Sequence, residues 1–171
     1  DQGNIGVLLA DRDYFQIYRR APDTEFHVGQ LVRSRTQGTW LLSATRPWRD
    51  AQGRVRGVLV AALEPPYFET VWQGVDLGSD GAIALYHRSG QLLMRSPSDP
   101  AQLGADAAGT PLFTTYLPQA AEGSYTGASP FDGVERLAAY RVLAPYPELV
   151  VAVGQSTKRV LAPWRRPRRR P

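Results

Sequence analysis

The apolar runs of this chain are short. The longest, residues 58–63 and 149–153, are strand-sized and far below the roughly 20 residues a membrane-spanning helix needs. Turn-formers reinforce the limit: 30 of the 171 residues are glycine or proline. That density argues against a helical bundle and for many short elements. A chain of this size makes one domain, or two small ones, at roughly 100–200 residues each. Hydrophobic residues at 43% and charged residues at 21% match ordinary globular usage, so wholesale disorder is not expected.

Charge is unevenly placed. The formal net charge is +4. Yet Lys158, Arg159, Arg165, Arg166, Arg168, Arg169 and Arg170 are seven cations with no anion among them, so residues 1–157 carry −3. A basic nucleic-acid surface spreads over a folded face. Here the cations form a terminal run, the pattern of a solvated arm or a membrane-adjacent segment. The start at Asp1 lacks methionine and the basic and apolar regions of a signal peptide. The chain is therefore expected to be a processed or excised piece.

Local patterning places the elements. A short strand is expected over 5–10, then a helix over 11–20 with Asp11 as N-cap. Tyr14, Phe15 and Tyr18 fall at helical spacing. Residues 26–32, 39–48 and 55–63 read as extended, with a turn at 50–53 joining the last two. The nearly unbroken apolar run of the third suits a sheet centre. A short helix follows over 67–73. The second half repeats the layout: strands over 82–87 and 91–95, a loop over 96–109, a helical start after Pro111, then strands over 123–129, 134–142 and 149–153. Asp132-Gly133 marks a hairpin turn. Ser156 is expected to cap a final helix over 157–164. Consecutive antiparallel strands with a few short helices predict an α+β architecture.

Catalytic and metal signatures are absent from the sequence. Cysteine is missing altogether, which removes a disulfide framework, a thiolate zinc site and a cysteine nucleophile. Lys158 is the single lysine, and no phosphate-binding glycine loop precedes it. The two histidines, His27 and His87, are far apart in sequence. No catalytic residue, metal ligand or cofactor is assigned.

What remains is an aromatic and arginine-rich set. Alternation puts Trp40, Leu42, Ala44, Arg46 and Trp48 on one strand face, with Leu41, Ser43 and Thr45 on the other. A helix carrying Tyr14 and Tyr18 over the Trp40 and Arg46 face would enclose a small-ligand pocket, mostly apolar with a few convergent polar groups. Arg46 could hold a carboxylate bidentately. Tyr14, Phe15 and Trp40 also suit a plain core, where aromatics dominate burial. Tyr86, Arg95, Tyr140 and Arg141 allow a weaker version of the same argument, and His87, beside a turn, is expected to be exposed.

The ordered pieces resemble a known family. They are Asp11-Arg-Asp-Tyr-Phe15, Gly38-Thr-Trp40-Leu-Leu-Ser-Ala-Thr-Arg46, Asp50-Ala-Gln-Gly53, Tyr67-Phe68, Asp80-Gly81, Ser89-Gly90, Arg95-Ser-Pro97 and Phe131-Asp-Gly133-Val-Glu-Arg136. Their order and spacing resemble the double Cache, or PDC, sensor domains. These PAS-like extracytoplasmic regions belong to bacterial receptors such as membrane diguanylate cyclases and sensor histidine kinases. The resemblance implies a membrane-distal unit over 1–75, a membrane-proximal unit over 76–157, and an exit-helix end with a Pro/Arg tail over 158–171. It also implies that the distal unit's first elements, two membrane spans and a cytoplasmic output domain lie outside this sequence.

The family's sites place Tyr14, Tyr18, Trp40, Thr45 and Arg46 at the ligand. The Arg-x-Trp-Tyr core of amino-acid-binding members is missing, so the ligand is not specified: an organic acid, an amine or an amino acid. The expected function is periplasmic small-molecule sensing for a transmembrane receptor, without enzymatic activity or specific nucleic-acid binding, and with a homodimer possible. The alternatives are a ligand-free dimerisation module, or an anionic-surface binder acting through the Arg tail.

Overall fold

The computed structural model describes residue 6 and residues 8–35 and 37–165. Helix α1 (Asp13–Arg20) precedes a three-stranded antiparallel sheet of β1 (His27–Arg33), β2 (Trp40–Arg49) and β3 (Val55–Leu63), ordered β1-β2-β3. Helix α2 (Pro66–Trp72) leads to a five-stranded antiparallel sheet. Its strands are β4 (Ala82–His87), β5 (Leu92–Ser96), β6 (Glu122–Ala128), β7 (Glu135–Leu143) and β8 (Tyr146–Ser156), in the order β5-β4-β8-β7-β6. Helix α3 (Thr157–Arg165) begins on the residue after β8. The predicted α+β architecture is the one observed. No described helix is long and apolar enough to cross a membrane.

Strands of the five-stranded sheet serve two cores. Leu85 of β4 and Leu149 of β8 pack against Val28, Leu31 and Leu42 of the first sheet, together with Leu93 and Met94 of β5. Their sequence neighbours Ala84, Tyr86 and Val150 point the other way, into a second cluster with Ala152, Leu92, Leu112 and Tyr140. Period-two alternation is what divides them. Phe68 and Trp72 place α2 against the inter-sheet core.

The sheets are also joined by polar groups. Edge strand β1 carries an irregularity between Val28 and Leu31. The Leu31 N–H donates to Gln91 Oε1 at 2.7 Å, and Gln91 Nε2 donates to the Leu31 carbonyl at 3.2 Å. One side-chain amide thus satisfies both backbone groups of that residue, which would otherwise lose bonds in a part-buried place.

Several elements differ from the sequence expectation. The strand expected over 5–10 falls partly outside the described residues; Leu8, Leu9 and Ala10 are described and form no strand. Asp11 does not cap α1, because Arg35 takes its carboxylate at 2.5 and 3.0 Å and the helix starts at Asp13. Strand β3 is not central: it is an edge, with Leu59 66% and Val60 44% exposed. An apolar run records how much surface a strand could bury and not which neighbours supply the cover. Ser156 keeps its expected place directly before α3 and is at the same time the last residue of β8, opposite Arg136. His87 is half-buried, its Nδ1 2.8 Å from Ser89 Oγ. Residues 166–171 of the cationic tail lie outside the described residues.

Leu93 is 0% exposed at the centre of the inter-sheet core. Leu93→Ala is expected to cost about 3 kcal/mol, through lost transfer energy plus a cavity, and urea denaturation measures it.

Candidate functional site

The five residues singled out from the sequence do not form one constellation. Helix α1 covers the Ser43 and Thr45 face of β2. Tyr18 is buried there, its hydroxyl 2.9 Å from Thr45 Oγ1, and Thr45 Oγ1 also donates to the His27 carbonyl at 3.3 Å. Tyr14 sits at the rim, half-buried, its ring 5.6 Å from that of Phe15. Trp40 and Arg46 occupy the opposite face. Trp40 packs on the inter-sheet core beneath the Arg33 guanidinium, which lies 4.7 Å from its ring. Arg46 is exposed and lies 5.7 Å from the Phe26 ring. The structure therefore brings Tyr18 and Thr45 together under α1 and separates them from Trp40 and Arg46. Alternation had placed Thr45 opposite Trp40 and Arg46; the helix chose the Thr45 side.

A polar strip accompanies the Tyr18–Thr45 pair. His27 Nε2 lies 3.0 Å from Asp13 Oδ2 on α1, and its Nδ1 lies 3.6 Å from Glu148 Oε1 on β8. Gly29 keeps the strip open: a Cβ there would stand 2.7 Å from Ser43 Oγ. Burial raises the Tyr18 phenol above its ordinary value, with the hydrogen bond to Thr45 opposing it. Tyr18 is thus a neutral hydrogen-bonding group at any physiological pH.

A cavity of about 170 Å³ lies in the second half. Its floor is the small-residue face of the five-stranded sheet: Ala84, Ala138, Ala152 and Gly154. Leu112, Tyr116 and Phe131 form the cover. The cover is pinned to the sheet, because Tyr140 Oη donates towards the Tyr116 and Ala120 carbonyls at 3.0 and 3.2 Å. Residues Leu112–Tyr116 form one wide helical turn, with the Leu117 N–H donating to the Leu112 carbonyl at 2.9 Å. Such turns are frequent at functional sites.

Two arginines close one end of the cavity. Arg95 and Arg136 are only 8% and 5% exposed. Arg136 Nη1 and Nη2 each donate to an oxygen of Asp132 at 2.8 Å, and its Nε donates to the Asp80 carbonyl at 2.7 Å. Arg95 donates to Asp132 and, at 2.9 Å, to the Pro97 carbonyl. The hydrogen bonds from Arg136 hold the Asp132 carboxyl far below the usual carboxylate range; the Val134 N–H and the charge of Arg95 add to this and burial opposes it. Burial pushes the Tyr86 and Tyr125 phenols up.

Tyr86 and Arg95 were visible as candidates in the sequence, whereas Asp132 and Arg136 were not. Asp132 read only as a turn residue. It does serve the turn, accepting from the Val134 N–H at 3.1 Å, while its carboxylate also gathers the arginines. Tyr140 anchors the cover, and Arg141 is exposed and paired with Glu122 at 2.6 Å.

A family model described as a dCache_1-like histidine kinase sensor domain matches residues 65–154. The chain belongs to this family of sensor domains. The extracellular domain of rpHK1S-Z16, assigned as a histidine kinase, is 36% identical with a TM-score of 0.79, over 92% of this chain and 64% of that one. The periplasmic sensory domain of the Campylobacter jejuni chemoreceptor Tlp1 is 14% identical with a TM-score of 0.71, over 90% and 58%. The ligand-binding domain of the Pseudomonas fluorescens chemoreceptor CtaA, solved with L-isoleucine, is 14% identical with a TM-score of 0.66, over 92% and 62%. This sensor domain thus spans about three fifths of the length of those solved chains. No match was found among curated proteins.

Asp132→Asn leaves two buried guanidinium groups without their shared anion. It is expected to destabilise the sensor domain by about 3 kcal/mol at pH 7. Because the folded carboxyl is held below its unfolded value of about 4, the wild-type advantage is complete above that pH and drains away as pH falls towards the folded value. Urea denaturation of both proteins at pH 7 and at pH 3 checks the sign: the gap is expected to narrow in acid.

Proposed function

We infer that this chain is the extracytoplasmic small-molecule sensing region of a bacterial transmembrane signalling receptor, and that it passes its ligand state to a cytoplasmic output domain. The observation that carries this reading is the continuity of β8 with α3. Strand β8 is central in the five-stranded sheet and contributes to both cores, and α3 starts where it ends. A shift in either core therefore reaches the exit helix without crossing a loop. A ligand drives such a shift only by binding two arrangements with different affinity.

Arg159 gives α3 a second support. Its guanidinium lies against Gly78 in the segment joining the two sheets, where an added Cβ would fall 1.4 Å from Nη1. The family membership and the receptor domains of similar fold support the sensing role; in this reading the region performs no catalysis. Its place is the periplasmic side of the inner membrane, held by segments outside this sequence.

The ligand seat in this reading is the polar strip under α1. Thr45 on β2 forms its floor, Tyr18 on α1 its roof and Tyr14 its rim, with Asp13, His27 and Ser43 as its hydrogen-bonding groups. Trp40 and Arg46 act from the opposite face by fixing the sheet against the inter-sheet core. The ligand class is an organic acid, an amine or an amino acid.

Thermal-shift screening with those three classes is expected to return a stabilising ligand. Tyr18→Phe and Thr45→Val are each expected to weaken it at least ten-fold, as lost hydrogen bonds in a buried seat do. Unchanged affinity in both variants would move the seat elsewhere. No ligand together with a concentration-dependent dimer in sedimentation would favour an assembly module.

A further inference from the structure

The cavity between the five-stranded sheet and its aromatic cover is a second, chemically distinct chamber. No carboxylate lines it; Asp132 sits behind the arginines and is outside the lining. One acid therefore faces two guanidinium groups, leaving one positive charge in excess at a nearly buried place. The donors tell the same story. Arginine carries five N–H groups, and those of Arg95 make two hydrogen bonds, to Pro97 and Asp132. Its remaining donors have no protein acceptor among the described residues. The hydroxyls of Tyr86 and Tyr125, on the cavity wall, likewise make no hydrogen bond there.

The rest of the wall is apolar and flat. Tyr86 and Phe131 lie nearly parallel, 6.4 Å apart, and Tyr116 and Tyr125 are stacked at 4.8 Å. On the same sheet face as Tyr86 and Tyr125, Ala84 and Ala138 leave room that larger side chains would fill. Arg136 itself needs such a small neighbour, since a Cβ at Gly154 would stand 2.9 Å from its Cδ. The volume of about 170 Å³ is close to that of an engineered cavity of about 150 Å³ that accepts benzene. A flat apolar body with one negative charge at its end matches the walls, the size and the surplus cation together.

We propose that this chamber binds a small aromatic monocarboxylate, its carboxylate on Arg95 and its ring over the alanine floor beneath the cover of Leu112 and Phe131, with Tyr86 and Tyr125 at its sides. The carboxylate accepts the free N–H groups of Arg95 in the planar geometry that guanidinium favours, and the phenols of Tyr86 and Tyr125 supply further donors. The site is independent of the strip under α1 and would let the domain respond to a second compound.

Benzoate is the probe, titrated into the 171-residue chain by calorimetry, with benzamide as its neutral counterpart. Benzoate is expected to bind saturably and benzamide at least ten-fold more weakly. Arg95→Met is expected to remove that preference. Because this variant also loses the bond to Asp132, nuclear Overhauser contacts in the unmodified chain locate the ligand independently: benzoate ring protons should meet the methyls of Ala84 and Ala152. Tyr18→Phe and Thr45→Val are expected to leave benzoate affinity within two-fold. Absence of saturable binding, equal binding of benzamide, contacts elsewhere, or loss of binding in the Tyr18 and Thr45 variants would each overturn the proposal.

Discussion

Ala84 and Leu85 are adjacent in the chain and belong to different cores. The same is true of Leu149 and Val150. This alternation along β4 and β8 is the constraint on which the rest depends. It makes one layer of backbone both the floor of the arginine-closed cavity and the wall that receives the first sheet. A one-residue slip in pairing would exchange the two sets of side chains. Neither core can be repacked alone, since each contact on one face is fixed by the register that serves the other.

Polar groups then settle what apolar burial leaves open. Gln91 fills the backbone positions of Leu31 at the edge of β1. His27 stands between Asp13 of the first half and Glu148 of the second. Asp132 ties the β6–β7 turn to β5 through Arg95. Burying two guanidinium groups costs several kcal/mol in desolvation, which one shared carboxylate offsets only in part. That imbalance distinguishes the cavity end from an ordinary structural ion pair.

Much of the fold was legible in the sequence. Strands β3 and β4 occupy the expected residues, and the Asp132-Gly133 turn sits between β6 and β7. Short apolar runs between turn-formers define strands well, because alternation and turn chemistry are local. Edges are not local, and β3 shows the consequence: its composition suited a centre and its place is a border. The candidate site was half legible for the same reason. Period two separated Thr45 from Trp40 and Arg46, but which face α1 would cover depends on tertiary packing. Arg136 and Asp132 stood only within a family motif and not as site residues, since their meeting with Arg95 is made by the pairing of distant strands.

The contact between Arg159 and Gly78 has a mechanical meaning. Among the described residues Arg159 makes no hydrogen bond or ion pair, so the support it gives is steric. Dispersion contacts of this kind are worth about 0.1–0.2 kcal/mol per atom pair and have little directional preference. Helix α3 thus rests on the turn as a shaft rests on a bearing. An approach of the helix to the turn would meet the Gly78 backbone directly, whereas a movement across it would break no hydrogen bond or ion pair of Arg159 among the described residues.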